Sequence, residues 1–188
     1  MARERPRRKP ESAGESSTLR IIGGRLRGSS FRYHGDRRTR PMKDRVREAA
    51  FNLIGPQVVG AHVIDLFAGT GALAFEALSR GADSALLIEQ HFPTARLIGR
   101  NADSLGVSDR IDVFAGDTFV WARKQLDSAT SVAADRLVVF CSPPYDLYVI
   151  RTQDMVQLIR NVAQHCKSGS VLVVESDRRF DTDLLPDE

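Results

Sequence analysis

Two short segments combine residue types and spacing that suit chemistry. The first is Asp65-Leu-Phe-Ala-Gly-Thr-Gly71, entered from the apolar run His62–Phe67. Glycines at 69 and 71 let the backbone turn sharply and approach a ligand closely, with a helix N-terminus facing it. Glu89 ends the next apolar run, where a carboxylate can accept both ribose hydroxyls of a nucleoside cofactor. This pattern also fits NAD, because Ala74 completes a permitted G-x-G-x-x-A. Asp65 separates the two readings: a negative charge there opposes a pyrophosphate but suits S-adenosylmethionine, which carries an ammonium and a sulfonium. The plainer role for Asp65 is to cap the loop through backbone N–H groups. Phe67 joins the predicted cofactor contacts. Asp117 is a candidate for an adenine amine, against the alternative of a helix N-cap.

The second segment is Ser142-Pro143-Pro144-Tyr145, which follows the apolar run Leu137–Cys141. Two prolines lack N–H groups and cannot extend a ladder, so the chain leaves the sheet there with its carbonyls aimed outward. In an open α/β sheet, this carboxyl edge is where ligands sit. The Ser142 hydroxyl and the Pro143 carbonyl can accept the two hydrogens of an aromatic amine, and Tyr145 offers a flat surface for a base. The alternative is a rigid Pro-Pro turn beside a packed tyrosine.

These groups must be positioned by the elements around them. From residue 62 onward, apolar strands are predicted at His62–Phe67, Ser84–Glu89, Arg110–Phe114, Arg136–Cys141 and Ser170–Glu175. Helical stretches lie near 72–80, 92–105, 118–127 and 150–166. Short, continuously apolar strands alternating with amphipathic helices imply a mostly parallel, doubly wound Rossmann-like sheet covered on both faces. Ahead of it, Leu19–Ile22, a Gly23-Gly24 turn and a returning strand through Phe31 and Tyr33 read as a β-hairpin. Pro41 suits the first turn of a helix whose apolar positions are Val46, Ala49, Ala50, Leu53 and Ile54, stopped by Gly55-Pro56. Residues 1–18 hold almost nothing apolar and are expected to be a disordered tail. The expected organisation is that tail, an RNA-binding hairpin and helix over 19–56, and a cofactor-binding domain over 57–188.

Charge is unevenly placed. Residues 1–50 hold 15 Lys+Arg against 6 Asp+Glu, a net of +9, whereas the rest hold 12 against 18. A basic arm on an acidic body points to a polyanion, with Arg20, Arg25, Arg27, Arg38 and Arg40 as the expected phosphate contacts. No apolar run approaches a membrane span. The two cysteines and four histidines show no metal-ligand spacing, so neither a metal nor a disulfide is expected, and a reducing cytoplasm is the default. A monomer is expected.

The glycine loop and the Pro-Pro-Tyr segment together resemble the amino-methyltransferases of nucleic acids. More narrowly, Arg20-Ile-Ile-Gly-Gly-Arg-Leu-Arg-Gly28, Thr39-Arg-Pro-Met-Lys-Asp-Arg-Val-Arg-Glu48 and Asp65-Leu-Phe-Ala-Gly-Thr-Gly-Ala-Leu-Ala-Phe-Glu-Ala-Leu-Ser-Arg-Gly-Ala82 resemble the RsmD family. The resemblance implies a class I methyltransferase fold, S-adenosylmethionine as donor, the N2 amine of a guanine in 16S ribosomal RNA as acceptor, and a small-subunit RNA partner. Two departures stand out. Ser142 occupies the place of the family's usual Asp, and the chain past Glu175 is too short for the family's further antiparallel hairpin. Two rivals follow: an adenine-N6 methyltransferase of DNA or RNA, which shares the Pro-Pro-Tyr chemistry, and a non-enzymatic RNA-binding relative, suggested by the two departures.

Overall fold

The computed structural model describes residues 17–34, 41–131 and 136–185. The sequence reading of residues 1–16, and of Arg38 and Arg40, therefore falls outside the described residues. Among these, no helix is long and apolar enough to cross a membrane.

A sheet of five parallel strands forms the centre: β3 (His62–Asp65), β4 (Ser84–Glu89), β5 (Ile111–Ala115), β6 (Leu137–Cys141) and β7 (Val171–Val174). Their spatial order is β5-β4-β3-β6-β7, and every neighbouring pair is parallel. The chain thus winds outward from β3 in both directions, and the reversal between β3 and β6 opens a crevice at their carboxyl ends. Helices α2 (Ala72–Ser79), α3 (Phe92–Leu105), α4 (Thr118–Ser131), α5 (Leu147–Ile150) and α6 (Thr152–His165) cover the faces. One apolar cluster unites α2 and α3 with one face of the sheet; a second unites α4, α5 and α6 with the other. This is the parallel, doubly wound Rossmann-like architecture expected from the alternating pattern.

The N-terminal hairpin pairs β1 (Ser17–Arg20) with β2 (Ser30–Tyr33), Leu19 facing Phe31. Helix α1 (Asp44–Ile54) follows. Neither is a detached module: Ile21, Phe31, Phe51 and Ile54 are buried in the same cluster as α2, with the Phe31 and Phe75 rings 4.9 Å apart. This packing explains a feature of α2. All eight of its residues are buried, as expected of a helix with apolar residues on every side. The sheet covers one side and the hairpin the other.

Several local expectations are corrected. Strand β1 begins at Ser17, inside the stretch read as a tail. Gly23-Gly24 are not a two-residue hairpin turn, because the connection runs from Ile21 to Ser29. Instead this segment closes the C-terminus of α2. The Arg25 N–H donates to the Ser79 carbonyl at 2.7 Å, the Leu26 N–H to the Ser79 hydroxyl at 2.9 Å, and that hydroxyl to the Gly23 carbonyl. Gly24, at φ +74°, lies so close that any β-carbon would overlap the Ser79 carbonyl. Pro41 precedes α1, whose N-cap is Lys43. The buried face of α1 is Arg47, Phe51 and Ile54, whereas Val46 and Leu53 are exposed. The expected helix over 150–166 is broken at Arg151, and β3 ends at Asp65 because the chain already turns there into the glycine loop.

Candidate active site

The glycine loop leaves β3 after Asp65 and enters α2 at Gly71, with Gly69 at φ 51° and Gly71 at φ 78°. Both sit in the left-handed region that favours glycine. A β-carbon on Gly71 would also crowd the Phe75 ring at 3.0 Å. The Ala68 N–H is bonded to the Ile88 carbonyl on β4, so the loop is held against the neighbouring strand.

Asp65 is fully buried, and neither carboxylate oxygen has a hydrogen-bond partner among the described residues. Burial raises its pKa to about 7; the nearby Phe67 N–H opposes the shift and the Glu89 carboxylate adds to it. The nearby Phe67 N–H is the kind of backbone group the capping alternative requires, but the carboxylate is otherwise desolvated and has no counter-charge among the described residues. Glu89 is also buried and its pKa is raised by that burial, opposed by two backbone hydrogen bonds. One of its oxygens accepts the Gly69 N–H at 2.8 Å and the other the His91 N–H at 2.7 Å. Each oxygen keeps a second lone pair, so the bonds that fix the carboxylate leave it able to accept a diol. Asp117 accepts the Val120 N–H at 2.9 Å and is thus the N-cap of α4. The neighbouring Thr118 hydroxyl bonds the Leu66 carbonyl, tying α4 to the loop after β3. Phe67 packs edge-on against Phe119, over which the Arg151 guanidinium lies at 3.8 Å.

On the neighbouring strand, Ser142 leaves β6 two residues beyond Phe140, the register partner of Asp65. Its hydroxyl oxygen is buried and has no hydrogen-bond partner among the described residues. Tyr145 is 38% exposed, and its hydroxyl donates to Glu175 Oε1 at 2.6 Å. Asp146 accepts from Arg179 at 2.9 Å. The Ser-Pro-Pro-Tyr segment is thus braced by the chain that follows β7. Cys141 beneath it is buried, and burial pushes its thiol up to about 12, which favours the neutral thiol over a thiolate at this edge.

The arm residues divide. Arg25 and Arg27 are exposed, while Arg20, also exposed, is held by Asp44 at 2.9 Å. A shallow concavity between β2 and α3 is lined by Tyr33, His34, Thr70, Thr94 and Asn101. It touches the glycine loop at Thr70 but includes neither Asp65, Glu89 nor Ser142. Asn101 clamps the arm, accepting the Arg32 N–H and donating to the Arg32 carbonyl. Sequence reasoning missed Asn101, Glu76, Arg47 and the role of Glu175. The only visible signal was Glu76, a lone charge within an otherwise apolar helix.

Comparison with known proteins places this geometry. A family model described as conserved hypothetical protein 95 matches residues 19–187. Ribosomal RNA small subunit methyltransferase D of Escherichia coli K12 is 36% identical over 138 residues, which is 73% of this chain and 65% of that protein. YlbH of Bacillus subtilis, described as a candidate rRNA methyltransferase, is 29% identical over 165 residues, covering 87% of this chain and 85% of that protein. Among solved structures, the candidate methyltransferase yhhF of Escherichia coli superposes with a TM-score of 0.60 at 27% identity, over 84% of this chain and 76% of that one.

Proposed function

The chain belongs to the conserved hypothetical protein 95 family, which includes the small-subunit rRNA methyltransferases D, and from that premise we propose that it transfers a methyl group from S-adenosylmethionine to the N2 amine of a guanine in 16S ribosomal RNA. One observation carries the reading. Asp65 and Ser142 emerge from adjacent parallel strands at the carboxyl edge, and each presents a buried polar group without a hydrogen-bond partner among the described residues. A native fold seldom leaves such groups orphaned unless a ligand completes them.

The residues fit the donor. An unpaired buried carboxylate at Asp65 favours the cationic methionine end, and Glu89 is set to accept ribose hydroxyls. Phe67 is proposed to contact the cofactor, and Asp117 to offer its adenine an acceptor. When bound, S-adenosylmethionine supplies an activated methyl on a sulfonium that is already a good leaving group. The protein's task is then to position the amine. Guanine N2 is a poor nucleophile because its lone pair is delocalised into the ring. Ser142 and the Pro143 carbonyl accept its hydrogens and favour a more pyramidal nitrogen, Pro144 fixes the turn, and Tyr145 stacks the base. Neutral Ser142 is no strong base, and the cationic methylated amine releases its proton to water. A base within folded RNA must first be unstacked to reach this edge. Arg20, Arg25, Arg27, Arg38 and Arg40 are proposed to hold the phosphates.

The test is mass spectrometry of ribosomal RNA nucleosides from cells with and without the gene, alongside calorimetry with S-adenosylmethionine and NAD. N2-methylguanosine lost from the small-subunit RNA supports the reading. Loss of N6-methyladenosine instead would establish the adenine alternative, and NAD binding without S-adenosyl binding would overturn the cofactor.

A further inference from the structure

Glu175 lies beside Ser142 at the edge of the sheet. Val174 on β7 pairs with Cys141 on β6, and the Glu175 N–H donates to the Cys141 carbonyl at 2.9 Å. The first residue past β6 is Ser142, so the two residues follow neighbouring strand ends. The main chain there is fixed, because the Tyr148 hydroxyl donates to the Glu175 carbonyl at 3.0 Å. The carboxylate is fixed too, since Oε1 accepts the Tyr145 hydroxyl at 2.6 Å. Among the described residues it has no ion-pair partner. A half-exposed carboxylate is thus anchored to the proposed stacking ring, next to the orphan hydroxyl proposed to hold the amine.

An ionised carboxylate only accepts hydrogen bonds. Guanine presents its N1–H directly beside its N2 amine, so an acceptor there meets a donor. Adenine and cytosine present a ring nitrogen lone pair beside their amines, and the same carboxylate repels it. We infer that Glu175 is a specificity-determining residue that accepts N1–H of the target base and selects guanine over adenine and cytosine. This rests on the amino-methyltransferase reading above and deepens it. Sites built around a buried or half-buried hydrogen bond discriminate strongly against partners that cannot make it.

The experiment begins with the wild-type product, identified by mass spectrometry and mapped to its nucleotide. RNA is then made with 2-aminopurine at that position, which keeps the 2-amine but replaces N1–H with an acceptor nitrogen. Wild-type kcat/KM should fall by roughly tenfold to a hundredfold on this substrate, the range of a hydrogen bond to a charged group. Glu175→Gln keeps an oxygen for the Tyr145 hydroxyl, and Glu175→Ala removes the side chain. Both should lose most of that discrimination, chiefly through slower methylation of guanine, with S-adenosylmethionine affinity unchanged. Wild-type protein that accepts both substrates equally would overturn the assignment without any variant. So would a Glu175→Gln protein that discriminates as well as wild type. A wild-type product on adenine would instead refute the underlying guanine reading, an outcome visible before any variant is made.

Discussion

Glu76 Oε1 accepts the main-chain N–H of Gly23 at 2.8 Å, across 53 residues of sequence. The other oxygen accepts the Ile22 N–H at 2.8 Å, and the Arg80 guanidinium bonds Oε1 at the same distance. Arg47, also fully buried, lies 3.6 Å from this carboxylate and donates to the Arg20 carbonyl at 2.6 Å. One buried charged cluster therefore joins the basic arm to α2, the helix that opens at the cofactor loop. Glu76→Ala leaves buried Arg47 without its counter-charge, and the Arg80 guanidinium and two backbone N–H groups without their acceptor. It should cost about 3–5 kcal/mol, read as a lower urea midpoint, with the arm more open to proteolysis. A loss under about 1 kcal/mol would mean that the hairpin is held by its apolar contacts alone.

How much of this was legible beforehand follows from the physics of each signal. The strands announced themselves because parallel strands buried on both faces are apolar throughout, as in Leu137–Cys141. Asp65, Glu89 and Ser142 were visible because they end such runs. The α1 face was misread because Arg47 is the buried residue and Leu53 the exposed one, at 0% and 87%. Hydrophobicity cannot foresee a guanidinium buried against a carboxylate supplied by a distant helix. Gly23-Gly24 misled for a similar reason: their glycines serve a close approach to Ser79, which no local pattern reveals.

The Asp65 carboxyl gives a pH signature. Burial holds its folded pKa at about 7, above the ordinary carboxyl value of 3.8. Between those values the folded chain holds a proton that the unfolded chain has released, so the ligand-free protein loses stability as pH rises through this interval. Binding of a cationic ligand has the opposite slope, because it needs the carboxylate. S-adenosylmethionine affinity should rise by up to about tenfold per pH unit towards pH 7 and level off above it. Titration calorimetry between about pH 5.5 and pH 8 would show this, and Asp65→Asn should flatten the curve. A wild-type affinity independent of pH would remove Asp65 from the cation site.

For the arm, Arg25 and Arg27 are the exposed cations of the segment that caps α2. Each one lost to Ala should lower the salt dependence of RNA binding by about 0.7–0.9 log unit. Arg20→Ala should change it less, because that guanidinium is already paired with Asp44. Cofactor affinity should hold. Filter binding across a salt series measures the slopes, and an unchanged slope in the Arg25/Arg27 double variant would move the RNA surface elsewhere.

At the edge proposed to bind the amine, folding and function should separate at Ser142. Its hydroxyl is buried without a partner among the described residues, so removing it relieves a desolvated polar group and breaks no bond among them. Ser142→Ala should therefore fold at least as stably as wild type while its turnover drops, because the hydrogen bond matters most as the nitrogen pyramidalises. Ser142→Asp, which keeps an oxygen acceptor at this place, should keep or raise activity. Tyr145→Ala should forfeit roughly 1–3 kcal/mol of stacking, a ten- to hundredfold loss in kcat/KM. On sequence alone Tyr145→Phe would be nearly silent, since the ring survives. The bond from its hydroxyl to Glu175 changes that expectation, and the variant's KM should rise several-fold as the ring and the carboxylate lose their mutual anchor. Single-turnover methylation of small-subunit RNA, paired with thermal melts, measures all four. Full activity in Ser142→Ala would leave the Pro143 carbonyl as the amine's main acceptor.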